Sequence, residues 1–228
     1  MNGVPMLAVV GDVLPLAVGV GISPLPILVV ILMLLTPRAK ATAAAYLVGW
    51  VLGLVLVCVL AAVLAQPAGI STQDEDQSAV AWGQVVFGVL LLVMGWQQWR
   101  TRPAPGQESA LPGWLSALDR FTPAKAFGVG LLFSAGNPKN LMLTLTAAVT
   151  ISASDLTTSQ QIATMGLFVL IASAGVLAPM VVFLATGDSA ARVLGGWRTW
   201  LAINSATVMS VLLLVLGALF IGQGLGAL

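Results

Sequence analysis

The chain has 228 residues, 59% of them hydrophobic and only 7% charged, with a formal net charge of +1 and a mean hydropathy of +1.03. Soluble domains carry about 25% charged residues, so a soluble fold is excluded, and so small a net charge leaves no basic patch for nucleic acid. One cysteine, Cys58, and no histidine exclude an internal disulfide and a His-based catalytic triad and argue against a transition-metal site; no metal, cofactor or enzymatic activity is expected.

A bilayer-spanning helix needs about 20 apolar residues. Six segments qualify: 13–35, 41–65, 79–99, 126–151, 162–186 and 200–222. The expected fold class is all-α integral membrane: six transmembrane helices in a single polytopic domain, residues 1–228. Met1 to Pro5 show no basic n-region, so no cleavable signal peptide is expected, and the first span is read as its own targeting signal.

The first span contains Gly19 and Gly21 and then Ser23-Pro24-Leu25-Pro26. A capping residue followed by proline is a helix start, so a break is expected here, with a simple proline kink as the alternative. The second span carries Gly49-Trp50-Val51-Leu52-Gly53, a GxxxG that allows close packing against another span or another subunit. After the third span, residues 100–123 form a linker. Leu111, Trp114, Leu115 and Leu118 make one apolar stripe, read as a short helix on the cytoplasmic membrane surface; a loop packed on the bundle end is the alternative.

The fourth span contains Ser134-Ala135-Gly136-Asn137-Pro138-Lys139-Asn140. The helix should stop near Gly136 and restart at Pro138, with Lys139 in the first turn of the second half. An ionisable residue deep in a span is a functional-site hypothesis by default. In the sixth span, Asn204 is read either as interhelical glue or as a companion of this site.

The loops set the orientation. Arg38 and Lys40 follow the first span; Arg100, Arg102, Arg120 and Lys125 follow the third; Arg192 and Arg198 follow the fifth. Loops two and four hold Asp74, Glu75, Asp76 and Asp155 and no base. Basic loops stay cytoplasmic, which gives a multi-pass protein with both termini outside. Trp82 marks the outer interface, and Trp96, Trp99, Trp197 and Trp200 the inner one.

The two halves echo one another. Ser23-Pro24 corresponds to Asn137-Pro138, and the run Val89 to Gly95 resembles Val211 to Gly217. Three spans per half make the repeats inverted, approximately 7–99 and 124–224. Gly/Pro-interrupted segments at matching places point to a transporter site. Each restarted half-helix turns its positive N-terminus inward, and Lys139 adds a base where no span offers a carboxylate. Either Lys139 is neutral when the site is empty, or something anionic binds there. The expected substrate-binding residues are Ser23, Pro24, Pro26, Asn137, Pro138, Lys139, Asn140 and Asn204, around a crevice.

The Ser23-Pro24-Leu25-Pro26 break, Thr36-Pro37-Arg38-Ala39, Gly49-Trp50 and Asn137-Pro138-Lys139-Asn140 together resemble the Gap/Sap family, the actinobacterial peptidoglycolipid- and sulfolipid-addressing proteins of the lysine-exporter (LysE) superfamily. The resemblance covers nearly the whole chain, and Asn-Pro-Lys-Asn is its most specific part. It implies a six-span inner-membrane protein that moves cell-envelope glycolipid toward the surface. The thiol-transferring branch of the superfamily uses an intramembrane cysteine pair, which Cys58 alone cannot form. The expected activity is export of an anionic or amphipathic envelope lipid by alternating access. The alternatives are export of a small solute, such as an amino acid or ion, and a non-transporting scaffold for lipid assembly. Expected partners are the cargo, membrane lipids, and either a second copy or envelope-lipid assembly proteins.

Overall fold

In the computed structural model, residues 6–65, 77–100, 102 and 121–228 are described; the expected surface helix over Leu111–Leu118 and the acidic stretch at Asp74–Asp76 lie outside them. Among the described residues the protein is all helical, with no strand: α1 (Met6–Gly21), α2 (Pro24–Leu34), α3 (Ala39–Ala65), α4 (Gln77–Arg100), α5 (Pro123–Leu131), α6 (Pro138–Ser152), α7 (Thr158–Thr186) and α8 (Ala190–Gly226). Among the described residues two stretches are long and apolar enough to cross a membrane, Ala39–Val63 and Thr158–Gly226, and the bent pair α1–α2 makes a third. The 69 residues of Thr158–Gly226 are divided into α7 and α8 by a 3-10 turn at Gly187–Ser189, where Gly187 adopts a φ of 50° that a side chain would strain.

The surface of α3 explains why this is a membrane protein rather than a soluble bundle. Leu52, Val55, Leu56, Val59, Leu60 and Val63 are exposed and recur at intervals of three and four, so they form one stripe. The opposite face buries Tyr46, Trp50, Leu54, Val57, Cys58 and Ala61. A helix apolar on both faces needs an apolar surround.

The described chain divides into two compact units. One holds α1–α3, α5–α7 and the first turns of α8; the other holds α4 and α8 from Leu201 onward. In the first unit glycines set the packing. A Cβ added at Gly49 would collide with the Phe127 carbonyl, and one at Gly130 with the Tyr46 carbonyl, so α3 and α5 touch backbone to backbone. Gly53 lies against the Ser134 hydroxyl. The expected GxxxG thus faces another span of the same chain. Gly175 of α7 meets the Gly21 carbonyl at the end of α1 in the same way.

The second unit is an antiparallel pair. A Cβ at Gly88 would lie 2.7 Å from the Gly217 carbonyl, one at Gly217 2.8 Å from the Gly88 carbonyl, and one at Gly224 2.6 Å from the Ala81 carbonyl. Ser210 Oγ donates to the Gly95 carbonyl at 2.8 Å. Ala81, Gly88 and Gly95 recur every seven residues, as do Ser210, Gly217 and Gly224, which keeps the small residues on one seam. The runs 89–95 and 211–217, similar in sequence, therefore flank the same contact. Phe87 and Phe220 pack edge to face beside it, with ring centroids 5.0 Å apart.

Candidate functional site

Both expected breaks are present. α1 ends at Gly21 and α2 starts at Pro24, with a bend of 51° between them. α5 runs into a π turn at Leu132–Gly136, and α6 restarts at Pro138 behind Asn137. Proline is the local cause in each case. Pro24 has no N–H for the Val20 carbonyl, and the Ser23 hydroxyl replaces it, donating at 2.7 Å. In the π turn the Phe133 carbonyl would look five residues ahead, to Pro138, which again has no N–H. Asn140 Nδ2 takes its place at 2.9 Å. Asn137 caps α6 with its own side chain, accepting from the Lys139 N–H at 3.0 Å.

The two breaks meet. Lys139 Nζ donates to the Gly19 carbonyl at 2.7 Å and to Ser23 Oγ at 2.8 Å. In an unbroken helix the Gly19 carbonyl would bond to Ser23 N–H; the break frees it for the lysine. Ser23 Oγ also lies 3.3 Å from Asn140 Oδ1, but a hydroxyl has one proton, and the shorter bond to Val20 takes it. Ser23 is 2% exposed, Lys139 8% and Asn140 0%.

Of the residues expected from the sequence, Ser23, Lys139 and Asn140 form one network. Pro24 and Pro26 are buried beside it in α2, and the Pro26 carbonyl accepts from Tyr46 OH at 3.2 Å. Asn137 is half-buried and Pro138 exposed. Asn204 lies on α8 in the second unit. Where a crevice was expected, Ser23, Lys139 and Asn140 close on one another. A cavity of about 570 Å³ lies elsewhere in the unit, at the α2–α3 turn.

The lysine's partners in the structure are neutral oxygens. The carboxylates among the described residues are Asp12, Asp155 and Asp188, none of them inside a break. Two donors of Lys139 Nζ are used; protonated, as an ammonium with three, it would have one left for an oxygen brought by a ligand.

Sequence reasoning missed the two carbonyls, Gly19 and Phe133, because any residue type carries one. It also missed Thr144 and Ser173, which are buried and whose hydroxyls have no hydrogen-bond partner among the described residues. Thr144 had a signal: it stands four residues beyond Asn140 on α6, on the same helix face. Ser173 sits two residues before Gly175, where α7 touches the first break.

No curated protein and no solved structure matches the chain. The family model described as Sap, sulfolipid-1-addressing protein, matches residues 13–226. With that span, broken helices at the expected prolines and a buried lysine joining them, the chain belongs to the Sap family of sulfolipid-1-addressing proteins.

Proposed function

We propose that the protein exports an anionic, amphipathic cell-envelope lipid by alternating access around the two breaks, without enzymatic chemistry. The observation that carries this reading is the Lys139 junction: a buried base, one donor in reserve, held by backbone that only a broken helix frees. Family membership supports a role in lipid export or localisation. In this reading the chain crosses the inner membrane six times, through α1–α2, α3, α4, α5–α6, α7 and α8, with both termini outside.

The packing supports an inverted repeat. α1 and α2 pack on α7, while α5 and α6 pack on α3; α2 also meets α3, and α6 meets α7. Exchanging the halves turns each pair into the other. In the second unit, exchanging 88 with 210 and 95 with 217 converts the Gly88–Gly217 contact into the Gly95–Ser210 contact. Single cysteines at Pro37 and Asp155, with Cys58 removed, should react with an impermeant reagent from opposite sides; labelling of both from one side refutes the topology.

A second reading, a non-transporting scaffold, is favoured by one observation: Lys139 braces two breaks together and is almost fully buried. Lys139→Met separates the readings. It removes a buried charge worth about 3 kcal/mol of membrane cost but orphans a carbonyl at about 1–3 kcal/mol, so stability should change little. The export reading expects normal protein abundance with cargo lost from the surface of a complemented deletion strain. Normal surface cargo at normal abundance removes Lys139 from the site and leaves the breaks alone to support transport. Loss of the folded protein favours the brace.

A further inference from the structure

The α2–α3 turn carries the cavity of about 570 Å³, within the range of about 300–1,000 Å³ usual for small-molecule sites. Residues 34–41 wall it, with Phe183 of α7 and Ala191 of α8. Arg38 and Lys40 line it and are exposed; among the described residues neither side chain is paired. Arg38 and Lys40 are the charged residues of its lining, which holds no acid.

The backbone adds donors. The first N–H groups of a helix have no partner within it. At the start of α3 the Ala39 N–H reaches the Thr36 carbonyl at 3.1 Å, and the Thr42 N–H reaches the Arg38 carbonyl at 3.1 Å. The N–H groups between them belong to Lys40 and Ala41, both of which line the cavity. Thr36 directs its hydroxyl away, to the Met33 carbonyl at 2.7 Å.

We propose that this cavity binds the tetrahedral oxyanion of a phosphate or sulfate ester. The Arg38 fork takes two oxygens, Lys40 supplies a point charge, and the Lys40 and Ala41 N–H groups complete the shell. Leu34, Leu35 and Phe183 offer an apolar wall to the ester's carbon side. Bases that serve only to fix membrane orientation need neither a cavity nor free N–H groups. The proposal stands apart from the Lys139 site and requires only that the chain lies in a membrane.

The test is calorimetric titration of the purified full chain in micelles with dioctanoyl phosphatidic acid and, separately, inorganic phosphate. Arg38→Gln with Lys40→Gln should weaken binding about tenfold or more. Ala41→Trp, which fills the cavity and keeps both bases, should weaken it similarly. Lys125→Gln, a charge loss outside the cavity, should leave it unchanged, whether or not export survives. Tighter binding of the lipid than of free phosphate identifies a lipid headgroup as the ligand; equal binding identifies the free anion. Binding of neither probe, binding untouched by the cavity variants, or equal loss with Lys125→Gln overturns the proposal.

Discussion

The two breaks begin alike and are finished differently. Each is a capping residue followed by proline. At the second, Asn137 makes a proper side-chain cap and a π turn leads into it. At the first, Ser23 sits at the cap position but makes no cap bond; its hydroxyl turns back to Val20 and receives Lys139. The first break therefore supplies acceptors and the second supplies the donor. Prolines at matching places created the vacancies, and unlike neighbours converted one into a socket and the other into its plug.

The largest effects should come from the glycines that hold each break against its neighbour. Gly175→Ala at the first and Gly49→Ala at the second each drive a Cβ into backbone, which cannot yield as a side chain can. Each should cost about 1–3 kcal/mol or more and lower the melting temperature in detergent. Gly166→Ala, on α7 with nothing near its Cβ, should not. A drop for only one of the pair would mean the breaks are not equivalently clamped.

Ser23→Ala comes next. It orphans the Val20 carbonyl and removes an acceptor from Lys139, at about 1–3 kcal/mol. Asn137→Ala loses one cap bond at a half-buried position, at about 1 kcal/mol. The order of the two melting shifts tests the asymmetry, and the reverse order refutes it. Pro24→Ala sharpens it in geometry. Lacking a side-chain cap, the first break should straighten once an N–H is restored, whereas Pro138→Ala should leave the second in place; structures of the two variants decide, and an unchanged 51° bend in Pro24→Ala contradicts the account. The mildest change lies outside both breaks: Ser210→Ala removes one interhelical bond, worth about 0.6 kcal/mol in membrane proteins, and should be nearly silent in thermal unfolding.

The breaks were legible because proline acts locally: it removes one N–H wherever it stands. Lys139 was legible because charge is rare in apolar runs. Helix ends were read less well. α8 begins at Ala190 and carries Arg192 and Arg198 on helix, where a loop was expected; apolar content marks hydrocarbon, while helical hydrogen bonding continues past it. α5 starts at Pro123 behind Thr122, whose hydroxyl accepts from Lys125 N–H. This is the same cap-and-proline signal, overlooked because it precedes the apolar run. The seam of Gly88, Gly95, Ser210 and Gly217 was visible only as a similarity between two runs; that the runs lie against each other is a tertiary fact.

The Lys139 bridge has a consequence for populations. In the export reading, parting the breaks ruptures the two hydrogen bonds of Lys139 Nζ, at about 0.5–1.5 kcal/mol each, which holds the open state to about 15% or less before cargo arrives. Apparent cargo affinity is the intrinsic affinity scaled down by that open fraction. Loosening the latch should then tighten binding without a single new contact to the cargo.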